Sequence, residues 1–263
     1  MIVTKNLNVK LGHKSVLHDL SVSAKTGEVT AVIGPNGSGK STLLKAISGE
    51  LNYDGSILLN GQEVSATSAQ VLAFERGVLP QHTTVSFPFT VDEVVSMGAR
   101  SGPFGLAREA GSRIQDEALH HVGLAGFAER SYHELSGGEQ QRVQLARVLC
   151  QVWKPVDGEV SRWLFLDEPV ASLDIQHQLS IMQLSRAYAS SGGGVVTIMH
   201  DLNLTFMYAN KVILLKDGRV LASGLPEEVI TDENLLEAFE CRLKVSQIPE
   251  KNNHFVLSQS VEM

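Results

Sequence analysis

The sequence predicts an α/β fold: a parallel sheet covered by helices, an N-terminal antiparallel β segment and a helical subdomain in the middle. Three observations carry this. Glu28 to Ile33 is an apolar, β-branched run that stops at a glycine-rich turn, as a strand buried on both faces of a parallel sheet does. Trp163–Leu166 and Val195–Met199 are two further strand-like runs with a helical segment, 176–189, between them, and this β–α–β alternation indicates parallel strands. From Phe89 to Gln151 the strand pattern disappears. There Val91, Val94 and Val95, then Ile114, Leu119 and Val122, recur at helical intervals, separated by the loop Ser101-Gly102-Pro103-Phe104-Gly105.

Taken in chain order, Ser56–Leu59 runs into Asn60-Gly61, a pair that favours a tight hairpin because both positions tolerate positive φ. Ser41 to Ser48 places Leu43, Leu44 and Ile47 at helical spacing. Val212–Lys216 and Arg219–Ala222 flank Asp217-Gly218, a second hairpin signal. Leu225–Ile230 and Leu235–Phe239 read as short amphipathic helices, and Val256 to Met263 as either a strand or a loose tail. One domain over 1–263 is expected, with a core from 1–88 and 152–263 and the helical subdomain at 89–151.

A formal charge of −7 gives no broad basic footprint, so no nucleic-acid partner is expected. Cys150 and Cys241 stand far apart, in no metal-like spacing; such usage suits a reducing compartment and is compatible with secretion too. Met1 to Leu7 does not resemble a signal peptide, and no apolar run of about 18 residues is present to span a bilayer. If the chain serves a membrane, it does so through a partner.

Gly34-Pro35-Asn36-Gly37-Ser38-Gly39-Lys40-Ser41, followed by Thr42, matches G-x-x-x-x-G-K-[ST] after a buried strand and before a helix. Glycines allow backbone N–H groups to turn inward around an anion, and the helix start adds its positive dipole end. Lys40 is expected at the β- and γ-phosphates and Ser41 on Mg²⁺. An accidental glycine-rich turn would not have that strand and helix around it. The loop alone says only that a nucleotide binds. Trp163-Leu164-Phe165-Leu166-Asp167-Glu168 then delivers two acids at a strand tip. Asp167 is placed to complete the Mg²⁺ shell, and Glu168, pointing elsewhere, to polarise an attacking water. A solvated Asp-Glu pair would be the default reading without the phosphate loop.

Leu135-Ser136-Gly137-Gly138-Glu139-Gln140-Gln141-Arg142 resembles the signature motif of ATP-binding cassette (ABC) proteins. Gln81 sits where that family's Q-loop glutamine lies, Ser172-Leu173-Asp174 matches its D-loop, and His200 its switch histidine. The motifs occur in family order over residues 34 to 201. The resemblance implies an ABC-type P-loop NTPase with a RecA-like core, which hydrolyses MgATP held between two subunits. By that analogy Lys40, Ser41, Gln81, Asp167, Glu168 and His200 act on one subunit's nucleotide, with Ser41, Gln81 and Asp167 toward the metal. Ser136, Gly137 and Gly138 would contact the partner's γ-phosphate, and Asp174 joins the nucleotide site. A single set of motifs implies a homodimer.

One position departs from the pattern: Leu11-Gly12 replaces the family's aromatic-glycine pair that stacks on adenine, and His13 is the alternative stacking residue. The interval between phosphate loop and signature has no room for the long coiled coil of the DNA-repair class. Neither a second cassette nor fused membrane segments are present. Leu79 to Val95, Leu173 to Gln178 and His200 to Leu204 resemble the ATPases of iron-chelate, haem and cobalamin importers, and the haem group is the nearest. The segment 153–162, read as an exposed loop, strengthens the likeness. The resemblance implies a separate two-subunit permease, a periplasmic haem-binding protein supplying cargo, and a position on the cytoplasmic face of the bacterial inner membrane. Phe87 and Phe89 either receive a helix of the permease or fill the local core. A siderophore or cobalamin importer, and a soluble ATPase of iron–sulfur assembly, are the competing readings. The pair His120-His121 is read as solvated or capping, not as a haem site.

Overall fold

The computed structural model describes residues 1–101, 108–248 and 257–260. The expected loop at Ser101–Gly105 lies largely outside them, as does most of the C-terminal tail, of which Ser258–Ser260 is one turn of 3-10 helix.

An antiparallel sheet opens the chain. Strand β1 (Ile2–Leu11) turns at Gly12 into β2 (Lys14–Leu20), and β3 (Ser23–Ala24) returns beside β1. Next come β4 (Val29–Ile33), buried at every position, and helix α1 (Lys40–Ile47). Strand β5 (Asp54–Leu59) pairs with β1 and, across Asn60-Gly61, with β6 (Gln62–Glu63). Both turn residues have positive φ, 50° and 84°, as the sequence predicts. Residues 69–79 form α2 (Ala69–Glu75) and β7 (Arg76–Leu79).

Three helices follow: α3 (Val91–Ser101), α4 (Arg108–His121) and α5 (Gly137–Gln151). The segment 153–162 is not the plain exposed loop expected of it. It folds into a small hairpin of β8 (Val156–Asp157) and β9 (Val160–Ser161), with Gly158 in the turn. Arg162 closes the hairpin from inside: it is buried, and its guanidinium donates to Asp157 at 2.7 Å. A charge leaving water needs such a partner, so this end of the segment is held in place. The chain finishes with β10 (Trp163–Asp167), α6 (Ile175–Ser190), β11 (Gly194–Ile198), α7 (Leu202–Tyr208), the hairpin β12 (Lys211–Lys216) and β13 (Arg219–Gly224), and helices α8 (Pro226–Val229) and α9 (Asp232–Phe239).

The larger sheet has the order β13-β12-β4-β11-β10-β7, parallel throughout except for β13 at one edge. Alternate side chains feed two cores. Ala31, Leu164, Leu166 and Val195 face the core shared with α5 and α6; Val32, Phe165, Val196 and Ile198 face α1 and the antiparallel sheet. The register aligns Val32 with Ile198, Ile198 with Asp167, and Leu166 with Leu79. Parallel strands in this register end together. The residues after β4, β7, β10 and β11 therefore emerge at one edge of the sheet, where ligands of open α/β sheets bind.

Candidate active site

The phosphate loop leaves β4 at that edge. Gly34, Gly37 and Gly39 all have positive φ, and Gly39 at 101° starts α1 in a left-handed conformation. A Cβ on Gly34 would strike the Leu215 carbonyl of β12, so this turn admits only glycine. Ser38 N–H donates to the Pro35 carbonyl at 3.2 Å, while the buried Ser38 hydroxyl has no hydrogen-bond partner among the described residues. Asn36 and Gly37 are exposed at the tip, and Thr42 is half-buried in the first turn of α1. The buried Lys40 ammonium folds back over the loop, donating to the carbonyls of Gly34 at 2.9 Å and Pro35 at 3.0 Å. Desolvation holds its pKa below the usual lysine value, partly offset by the nearby Glu168 and Asp167 carboxylates.

Asp167 ends β10 fully within the sheet, and the Ser41 hydroxyl donates to its Oδ1 at 3.3 Å. Burial raises the Asp167 pKa, and the Ser41 hydrogen bond works against that. Glu168 then adopts φ 53°, the left-handed region, which turns its side chain away from the path of the strand. Its Oε2 accepts from Gln81 Nε2 at 2.9 Å, and its Oε1 lies 2.6 Å from His200 Nε2. Gln81, Glu168 and His200, read from three separate motifs, thus form one hydrogen-bonded group next to the Ser41–Asp167 pair.

Ser136 caps α5. It accepts from Glu139 N–H at 3.3 Å, while its own N–H and hydroxyl donate to the Glu139 carboxylate at 2.8 and 2.7 Å, a complete capping box. Gly137 has open space around it, and Gly138 packs against Leu173 and the Ser172 carbonyl. None of these three bonds to residues 34–42 among the described residues. Asp174 caps α6, accepting from the His177 N–H at 2.9 Å and facing its ring nitrogen at 2.8 Å. These bonds, the backbone one first, keep the Asp174 pKa below the ordinary range. A cavity of about 250 Å³ lies between Gln81, Glu168, Gly137 and Gln141, joining the Q-loop to the start of α5.

Leu11 and His13 are both exposed at the β1–β2 turn. Phe89 packs on the core, whereas Phe87 is 67% exposed, with its ring 6.0 Å from that of Phe89. His120 and His121 are exposed at the end of α4, and His121 lies against Trp153.

Sequence reasoning missed one support of the loop. Asp217-Gly218, read only as a hairpin turn, sits directly under it: Gly218 N–H donates to the Ser38 carbonyl at 3.1 Å, and its carbonyl accepts from His18 N–H at 2.9 Å. Gly218 has φ 72°, and an added Cβ would meet the Val16 carbonyl. Gly218→Ala is therefore expected to cost about 2 kcal/mol or more and to lower the melting temperature by ~5 °C. ATP affinity should fall with it, since the phosphate loop loses its floor; calorimetry with and without nucleotide checks both.

A family model described as ABC transporter matches residues 17–171. The chain is 53% identical over 260 residues to the hemin import ATP-binding protein HmuV of Rhizobium etli, covering 99% of this chain and 98% of that one. It is 54% identical to HmuV of Chelativorans sp., over 99% of both chains. Among solved structures, a dimeric bacterial ABC transporter cassette superposes with a TM-score of 0.75 at 27% identity, covering 86% of this chain and 99% of that one. Likeness of this extent, on a chain whose Q-loop glutamine, acid-ending strand and switch histidine meet beside the phosphate loop, has one meaning: the chain belongs to the ABC transporter family.

Proposed function

We propose that the chain is the ATP-hydrolysing, energy-coupling subunit of a haem importer, working as a homodimer on a separate permease dimer. The observation that carries the hydrolytic part is Glu168, held by Gln81 and His200 beside the Ser41–Asp167 pair. The residues suit the ligands. The Ser38 hydroxyl, without a partner among the described residues, the buried Lys40 and the glycine turn fit a polyphosphate. Ser41 and Asp167 are hard oxygen donors 3.3 Å apart, a pairing that fits Mg²⁺, and Gln81, whose amide nitrogen bonds the adjacent Glu168, would bring its amide oxygen as a third donor. When bound, Mg²⁺ neutralises charge growing on the phosphate oxygens.

Lys40 exchanges its loop carbonyls for phosphate oxygens. Glu168 takes the proton from the attacking water, and His200 shares the carboxylate and orients that water toward the γ-phosphate. Ser136, Gly137 and Gly138 serve the partner subunit's nucleotide, a role supported by the open space at Gly137 and by the lack of bonds from these three to residues 34–42 among the described residues. Asp174 fixes the loop between the acids and α6. The dimeric relative supports the homodimer.

No described helix is long and apolar enough to cross a membrane, so the membrane part of transport falls to the permease. The exposed Phe87, on the segment after Gln81, is the contact offered to it. The subunit then sits at the cytoplasmic face of the inner membrane, and haem arrives from a periplasmic binding protein through the permease. Similarity over nearly the whole length, at 53% and 54% identity, to proteins named for hemin import supports the cargo assignment. The test is ATPase activity and uptake in lipid, with the neighbouring permease and a binding protein loaded with haem, cobalamin or ferric siderophore. Stimulation by haem alone is expected. Stimulation by another cargo overturns haem and keeps the ATPase, while absence of any cognate permease points to a soluble role.

A further inference from the structure

Glu168 occupies the left-handed region with φ 53°, a conformation that costs free energy for any residue with a Cβ. Side-chain bonds to Gln81 and His200 place the carboxylate, but they do not by themselves hold the peptide in that state. The main-chain tie comes from elsewhere. Gln141 Nε2, on α5, donates to the Glu168 carbonyl at 3.0 Å, alongside a longer 3.4 Å bond from Ala171 N–H. Gln141 is half-buried, and its neighbour Arg142 anchors this turn of the helix through the carbonyls of Val122 and Gly123, at 3.1 and 3.3 Å. The rest of the loop is held from the other side, where Gln178 on α6 donates to the carbonyls of Val170 at 3.2 Å and Leu173 at 3.0 Å.

We propose that Gln141 is a positioning residue for the hydrolytic reaction: its amide holds the Glu168 peptide left-handed, so that the start of α5 sets the pose of the general base. The proposal rests on the assignment of Glu168 as that base. Gln141 itself touches no reacting atom. Its loss leaves the phosphate loop, Lys40 and the Ser41–Asp167 pair as they were, and the expected signature is a fall in kcat without a change in affinity.

The test is steady-state ATPase kinetics on the full chain, with ATP affinity and thermal melting measured on the same samples. Gln141→Leu keeps the volume and removes the donor; kcat is expected to drop about tenfold with KM and Kd for ATP unchanged. Gln141→Glu supplies a readout that a purely structural role would not move. Its carboxylate repels the carbonyl when ionised and donates to it when protonated, so its kcat relative to the wild type should recover as pH falls. The same ratio for Gln141→Leu should stay flat. Should Gln141→Leu fail to fold, the pH-dependent ratio of Gln141→Glu decides alone. Wild-type kcat in Gln141→Leu, or a flat ratio for Gln141→Glu, overturns the proposal. Glu168→Gln, run in parallel, separates the two levels: undiminished turnover there removes the base itself, whereas its loss beside a fully active Gln141→Leu removes only the positioning role.

Discussion

Glu168→Gln is expected to bind ATP as the wild type does and to hydrolyse it at least about 10²-fold more slowly. The substitution is nearly isosteric, so the amide oxygen keeps one acceptor for Gln81 or His200, which now stand 2.9 and 2.6 Å from the carboxylate oxygens. What disappears, under the proposed mechanism, is the basic site that takes the proton of the attacking water. On the proposed reading, phosphate contacts come from the loop at the end of β4, which the change does not touch. With ATP bound and uncleaved, the dimer should persist, so size-exclusion chromatography in MgATP should give a dimer for the variant and a monomer–dimer mixture for the wild type. Turnover at the wild-type rate would remove Glu168 from the mechanism.

Lys40→Ala carries the second large effect, and it falls on binding. In the chain the ammonium is buried and satisfied by the carbonyls of Gly34 and Pro35. Phosphate oxygens are stronger acceptors than these carbonyls, and charge-assisted bonds of this type are worth about 1.5–3 kcal/mol. Affinity for ATP should therefore fall by about 10- to 100-fold in titration calorimetry, with the fold retained. Lys40→Arg should not restore it, because the larger planar group does not fit a loop closed by Gly34 against Leu215. Equal ATP affinity in Lys40→Ala and the wild type would show that the loop does not take the phosphates through this lysine.

Much of this site was legible along the chain, because its parts are locally encoded. A glycine run between a β-branched strand and a helix start lets backbone N–H groups turn inward around an anion. Leu166-Asp167-Glu168 puts acids at a strand end by simple adjacency, and Asn60-Gly61 and Asp217-Gly218 make hairpins because their φ angles demand it. The motif order identified the partners Gln81 and His200, but only by resemblance. Nothing in their local sequence says that they share one carboxylate.

Tertiary structure decided that, through the parallel register that ends β7, β10 and β11 side by side and brings residues 87 and 32 positions apart onto Glu168. It also decided what periodicity does not encode. Strand β7 is only four residues long and gains its place from pairing with β10. Phe87 and Phe89 part ways because one faces solvent and the other the core. Segment 153–162 is a hairpin closed by the buried Arg162 on Asp157. Gln141 and Gly218 took on roles through carbonyls that belong to other segments. The sequence by itself determined which groups with phosphate and acid–base chemistry the protein has, since backbone geometry and side-chain type are local properties. Which of those groups touch was settled by strand register and helix packing, because hydrogen bonds between distant segments exist only after the chain has closed around its two cores.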